Sequence, residues 1–233
     1  MAVWHLERGL ADPWSGSWLG EACLFAYERD GAIGGIALVK GPTVLLDTCS
    51  AAVPVTAWLC NLATQRHETV SVVAARQHLS DAILEVPGAQ AAPADVTLFT
   101  CTRAGNVRPA GKELLQGQGY RFWENVLASL DTFLKTGFRV FGLRGDEGRI
   151  VSTAGLWPLS IRCVELVMVG TSPAHLRKGY ASAVSALALD AGLRTAQMVT
   201  WRTGLSNVAS VGLARKLGFR ELVVLHHLTV PAQ

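Results

Sequence analysis

The stretch Val164-Glu165-Leu166-Val167-Met168-Val169-Gly170-Thr171-Ser172-Pro173-Ala174-His175-Leu176-Arg177-Lys178-Gly179-Tyr180-Ala181 decides the reading of this chain. Its first six residues are almost all apolar and rich in β-branched types, which predicts a strand buried on both faces. A polar, glycine-bearing loop follows and opens into the Ala-rich run 180–191, a helix apolar on nearly every side and therefore packed on a sheet. Gly192 is its expected cap. A helix start directly after a strand presents unpaired N–H groups and about half a positive charge, and Gly179 would let an anion approach the backbone. Arg177 and Lys178 add positive charge at the same point, although a polar pair opening any surface helix would look alike.

Outward from this centre, residues 197–201 read as a strand, 207–217 as a helix ended by Gly218, and 219–228 as a final strand. On the N-terminal side, 122–136 has helical spacing with Gly137 after it. Strands are expected at 139–143 and 149–156 around the turn 145–148, and Trp157-Pro158-Leu159-Ser160 is expected to turn the chain into the strand 162–170. The first half repeats this order faintly, with strands at 35–39 and 43–47, a helix at 53–65, a strand at 69–75, a short helix at 78–84 and a strand at 96–101. Displacement by about 119 to 130 positions brings these near their counterparts. The Gly- and Pro-bearing segment 102–118 is the linker candidate, giving domains at 1–110 and 111–233.

The signature Leu176-Arg177-Lys178-Gly179-Tyr180-Ala181, together with the later run from Asn207 to Leu217-Gly218-Phe219, resembles the GNAT superfamily of acetyl-CoA-dependent N-acetyltransferases. The good match covers residues 120–230, and residues 1–110 resemble it in element order only. The resemblance implies an α/β (α+β) fold with a mixed, largely antiparallel central sheet flanked by helices, preceded by a degenerate GNAT-like half. It implies that the loop beginning at Leu176 holds acetyl-CoA, with main-chain N–H groups of Arg177, Lys178, Gly179, Tyr180 and Ala181 on its pyrophosphate. Val167, Met168 and Val169 would run beside the pantetheine arm, with a main-chain N–H near Val167 or Met168 polarising the thioester carbonyl. That strand and the next would splay apart around the thioester, and Asn207 would touch the same arm or position the splayed strand; Ser210, one helical turn before Ala214, is a further candidate to face the thioester.

Two positions depart from the family pattern. Leu176 stands where Gln or Arg is usual, which leaves the backbone cradle possible, and Ala214 stands where many members carry a tyrosine acid. Glu165 lies in a strand apolar on both faces, where a carboxylate is costly unless paired or used. By resemblance it is the general base. The structural alternative is an ion pair with Arg139, Arg149 or Arg202. His226 and His227, on opposite faces of the last strand, are weaker acid/base candidates, and Trp123 and Trp157 are candidate walls for an acceptor.

Composition narrows the alternatives. The chain has 233 residues, half hydrophobic and 17% charged, which excludes disorder. Residues 1–110 hold 7 basic and 10 acidic side chains (net −3) and residues 111–233 hold 14 and 8 (net +6), so the second half favours an anionic small molecule. A total charge of +3 does not suggest nucleic acid, no apolar run reaches bilayer length, and the reading is cytoplasmic. Five widely spaced cysteines with no C-x-x-C pair point to neither disulfides nor a metal site. The resulting expectation is acetyl transfer from acetyl-CoA to a primary amine of a small molecule or peptide. A non-catalytic acyl-CoA-binding sensor or scaffold is the alternative, and the oligomeric state is open.

Overall fold

The computed structural model describes residues 3–7, 23–30, 32–48, 54–92, 95–123, 130–135 and 137–232. No described helix is long and apolar enough to cross a membrane. The chain divides into two units: residues 1–97 with 204–206 and 223–233, and residues 98–203 with 207–222. The division falls at 97/98, where the expected boundary was 110/111, and the C-terminal residues from Val223 onward count with the first unit.

The first unit begins with β1 (Val3–Glu7), β2 (Cys23–Arg29), β3 (Ala32–Lys40) and β4 (Thr43–Thr48), each antiparallel to the next. Helix α1 (Val55–Arg66) crosses over to β5 (Val70–Ala74), which lies parallel to β4, and α2 (Gln77–Leu84) follows. Strict alternation in β4 turns Val44, Leu46 and Thr48 inward. Val55, Leu59 and Ala63, spaced four apart on α1, meet them with Leu79 and Ile83 of α2. After the two-residue β6 (Gln90–Ala91) and β7 (Val96–Cys101) the chain enters the second unit.

There, β8 (Lys112–Leu114) pairs antiparallel with β9 (Arg139–Arg144), beyond the short helix α3 (Leu130–Lys135). β10 (Ile150–Ser160) and β11 (Cys163–Thr171) continue the antiparallel ladder. A 3₁₀ turn, Pro173–His175, leads into α4 (Tyr180–Thr195), then β12 (Met198–Gly204), parallel to β11, and α5 (Val208–Lys216). The strand order is β7-β12-β11-β10-β9-β8. The final strand β13 (Arg220–Val230) pairs antiparallel with β5 and β6, and Leu228 and Val230 join the first unit's core. Each unit therefore shows four antiparallel strands, a crossover helix, a parallel strand and a second helix, so strand pairing in both is mixed and mostly antiparallel.

Several expectations are corrected. Segment 102–118 is no linker: Gly105 N–H donates to the Leu217 carbonyl at 2.8 Å, Ala110 N–H donates to that of Ala183 at 3.1 Å, and β8 lies within the segment. Gly192 does not end its helix, which runs on to Thr195. A Cβ at Gly192 would stand 2.9 Å from Val199 Cγ2 and 3.1 Å from Val164 Cγ2, so the glycine sets how closely α4 approaches the sheet. Residues 157–160 extend β10 instead of turning it. Pairing with β9 stops at Leu156, so Pro158 falls beyond the segment bonded on both edges, where its missing N–H is tolerated. Phe122 forms a parallel bridge to Ile150 instead of opening a helix, and Val126 and Leu127 lie outside the described residues.

Candidate active site

Parallel pairing between β11 and β12 consists of three rungs, Cys163 with Met198, Val164 with Val199 and Glu165 with Thr200. Both strands continue past the last rung without pairing to each other, which makes a fork. On its other edge β11 carries a bulge: Thr153 faces Gly170 and Gly155 faces Val167, leaving Met168 and Val169 opposite Ala154 alone. Met168 has φ +54°, an unusual left-handed conformation for a residue with a side chain. Its carbonyl accepts from Thr153 Oγ1 at 3.2 Å. The bulge breaks the alternation expected along β11 and re-aims the main chain beside the fork.

The loop after β11 is shaped by two further left-handed residues, Arg177 at φ +60° and Gly179 at φ +82°. Gly179 occupies the N-cap of α4, and no side chain caps that helix. The first acceptor-bound amide of the helix is Ala183, which donates to the Gly179 carbonyl. Main-chain N–H groups of Arg177 through Ser182 thus have no protein acceptor among the described residues. A Cβ built on Gly179 meets nothing within 4 Å, so the approach to these donors is open. Such a nest of N–H groups, with the positive helix end behind it, is suited to a polyanion. The residues present fit the diphosphate of coenzyme A.

A cleft of about 450 Å³ joins the loop to the fork. Val169, Leu176, Arg177, Gly179, Tyr180, Ala181, Asn207 and Ser210, all expected from the sequence, line it. Lys178 is exposed and does not line it, and Val167 and Met168 contribute at the bulge without reaching the lining. Asn207 caps α5 by accepting the Ser210 N–H on Oδ1 at 3.1 Å. Sequence reasoning missed Trp201, His175 and Lys216. Ala209, Gly212, Leu213 and Lys216 recur at helical spacing after Asn207, and that signal would have found the lining face of α5. His175 is fixed by Ser172, whose Oγ lies 2.7 Å from Nδ1, and its ring stacks on Tyr180 at 5.9 Å.

Glu165 is 2% exposed and takes the ion-pair alternative. Arg202 Nε donates to Oε1 at 2.6 Å and a terminal guanidinium nitrogen donates to Oε2 at 2.8 Å, a bidentate fork. The hydrogen bond to Glu165 raises the Arg202 pKa above its already high ordinary value. Glu165 is also not among the cleft-lining residues. Both carboxylate oxygens are thus engaged by a cation, and the pair ties β11 to β12 where the fork begins. Arg139, another partner considered for Glu165, instead grips Glu113 at 2.7 and 2.8 Å.

The remaining candidates have structural partners. Ala214 is fully buried in the second unit's core and does not line the cleft. Trp157 stacks on Phe138 at 5.1 Å. Trp123 borders a second cleft of about 520 Å³ beside the 145–149 turn. His226 Nδ1 lies 3.2 Å from Asp95 Oδ2 within the first unit.

Residues 112–219 match the model of the acetyltransferase (GNAT) family. No curated protein sequence matches the chain. Among solved structures, a GNAT-family acetyltransferase from Colwellia psychrerythraea superposes with a TM-score of 0.56 at 11% identity, covering 97% of this chain and 99% of its own. A tandem GNAT protein from the clavulanic acid biosynthesis pathway gives 0.57 at 14% identity, covering 91% and 83%. A GCN5-related N-acetyltransferase from Kribbella flavida gives 0.57 at 15% identity, covering 86% and 88%. These likenesses establish the fold.

Proposed function

Residues 112–219 being a domain of the GNAT acetyltransferase family, we propose that the protein transfers an acetyl group from acetyl-CoA to a primary amine by direct attack. The observation that carries this reading is the run of acceptor-free N–H groups from Arg177 to Ser182, opening into a cleft that leads to the β11–β12 fork. Arg177 and Lys216 add positive charge along that cleft.

When bound, acetyl-CoA supplies an acetyl group activated as a thioester. The residues of this chain hold and orient. The loop amides take the diphosphate, and Asn207 keeps α5 beside the fork by capping it. The bulge at Met168 turns main-chain groups out of the ladder near the carbonyl position, where an aimed N–H stabilises developing negative charge. Glu165 and Arg202 hold the last rung closed, which fixes where the strands part. With Glu165 so engaged, the ammonium proton of the acceptor is lost to solvent before attack.

A second reading, a non-catalytic acyl-CoA-binding protein, draws support from the same pair and from buried Ala214, since neither position offers an acid or base to the cleft. One experiment separates the two. Thermal melting with acetyl-CoA, followed by a thiol-release screen over amino acids, polyamines, aromatic amines and peptide N-termini, is expected to give stabilisation and turnover with some amine. Stabilisation without turnover across the screen would establish the binding protein, and no stabilisation would overturn both readings.

A further inference from the structure

Ser210 lies half-buried on the cleft wall, in the first turn of α5. Trp201 Nε1–H donates to Ser210 Oγ at 3.2 Å. An indole only donates, so the hydroxyl is the acceptor in this contact and its own proton is left for another partner. The Ser210 side chain has no other hydrogen-bond partner among the described residues. Trp201 is itself held firmly, 3% exposed and edge-on to Phe219 at 5.6 Å and 84°. The direction of the hydroxyl is therefore set by a packed group.

Trp201 directly follows Thr200, the last β12 residue paired with β11, so the indole and the hydroxyl it holds stand where the fork opens. Other hydroxyls lining the cleft, those of Thr171, Tyr180 and Ser182, come from the loop end around α4. Thr171 Oγ1 is already bonded to Ser152 Oγ at 2.8 Å. Among the described lining residues, Ser210 supplies the hydroxyl at the fork.

Resting on the acetyl-transfer reading, we propose that Trp201 orients the Ser210 hydroxyl to donate a hydrogen bond to the sulfur that departs when the thioester is cleaved. Transfer forms an N–C bond and breaks a C–S bond, with the electron pair staying on sulfur. The acceptor ammonium sheds two protons, one ending on that sulfur and the other in solvent, so Ser210 is chemically unchanged. Its contribution is to stabilise charge as that charge develops, and Trp201 is its positioning residue.

The test titrates the thiol of bound coenzyme A by its thiolate absorbance in the parent, in Ser210→Ala and in Trp201→Phe, which keeps a ring against Phe219. Ser210→Ala is expected to raise the bound thiol's pKa by about one unit, a tenfold loss of thiolate at a given pH, and Trp201→Phe to raise it by less. Coenzyme A lacking the sulfur is expected to bind parent and Ser210→Ala equally, which places the effect at sulfur and not at the phosphates. An unchanged titration in Ser210→Ala, with coenzyme A still bound, would overturn this role alone. Failure of the parent to bind coenzyme A would overturn the acetyl-transfer reading and this inference with it. Should Trp201→Phe fail to fold, Ser210→Ala decides.

Discussion

Arg202 grips both carboxylate oxygens of Glu165 at the last rung before β11 and β12 part company. Glu165 is almost wholly buried while the Arg202 side chain is 45% exposed, so the pair joins the interior to the surface. Removing the guanidinium leaves a carboxylate without its counter-charge in a dry site.

Arg202→Met is therefore expected to destabilise the protein by about 3 kcal/mol, the range seen when one partner of a buried pair is lost. Urea denaturation measures it. Glu165→Gln keeps the shape and loses the charge, so it should lower the melting temperature while leaving the acid limb of the pH–rate profile in place. Disappearance of that limb in Glu165→Gln would restore the carboxylate as general base.

Gly192→Ala tests the contact between α4 and the sheet. Alanine favours a helix by about 1 kcal/mol over glycine, so an unpacked site would gain stability. Here the added methyl meets Val199 and Val164 at 2.9 and 3.1 Å, and overpacking of this kind costs about 1–3 kcal/mol. Net destabilisation is the expected outcome, and a rise in melting temperature would show that α4 can lift away without cost.

Gly179→Ala addresses the anion nest. The space beside Gly179 is empty, so the cost is conformational: φ +82° disfavours any side chain by about 1–2 kcal/mol. The variant is expected to fold with a small loss of stability and to bind coenzyme A about tenfold more weakly, as read by calorimetry. Unchanged affinity would remove the loop from the binding site.

Glu113 gives a pH-dependent prediction. The Arg139 guanidinium hydrogen-bonded to it holds its carboxyl below the usual value of 4.5. A depressed folded-state pKa contributes stability that is fully present above the unfolded value and is lost as pH falls through the folded one. The melting-temperature gap between parent and Glu113→Gln should be full at pH 7 and shrink progressively below about pH 4.5. A gap independent of pH would mean that the pair contributes nothing electrostatic.

The centre of the second unit was legible because periodicity and punctuation agree there: an apolar strand, a polar turn ending in Gly179 and an unbroken Ala-rich helix leave one reading. Gly137 and Gly218 end their helices with positive φ, as their positions suggested. Gly192 misled because a glycine near a helix end reads as a cap, whereas this one is there for close packing against residues distant in sequence. Loop 102–118 misled for a related reason. Gly111 has φ +118°, and a Cβ there would lie 2.7 Å from the Gly142 carbonyl, so its glycine marks close contact with β9 and not slack chain. Glu165 illustrates a further limit: burial in an apolar strand announced that the carboxylate needed a partner, but only the three-dimensional register selected Arg202 from three arginines.

The placement of β13 bears on how this protein can be taken apart. Its residues from Val223 onward close the sheet of the unit that opens the chain, and Leu98–Cys101 of β7 serve the other one. A gene cut at codon 110 would give two polypeptides, each short of a strand its own sheet requires. Expressed separately, neither should yield a cooperatively melting product, and recovery of the folded state would call for the pair to be produced together.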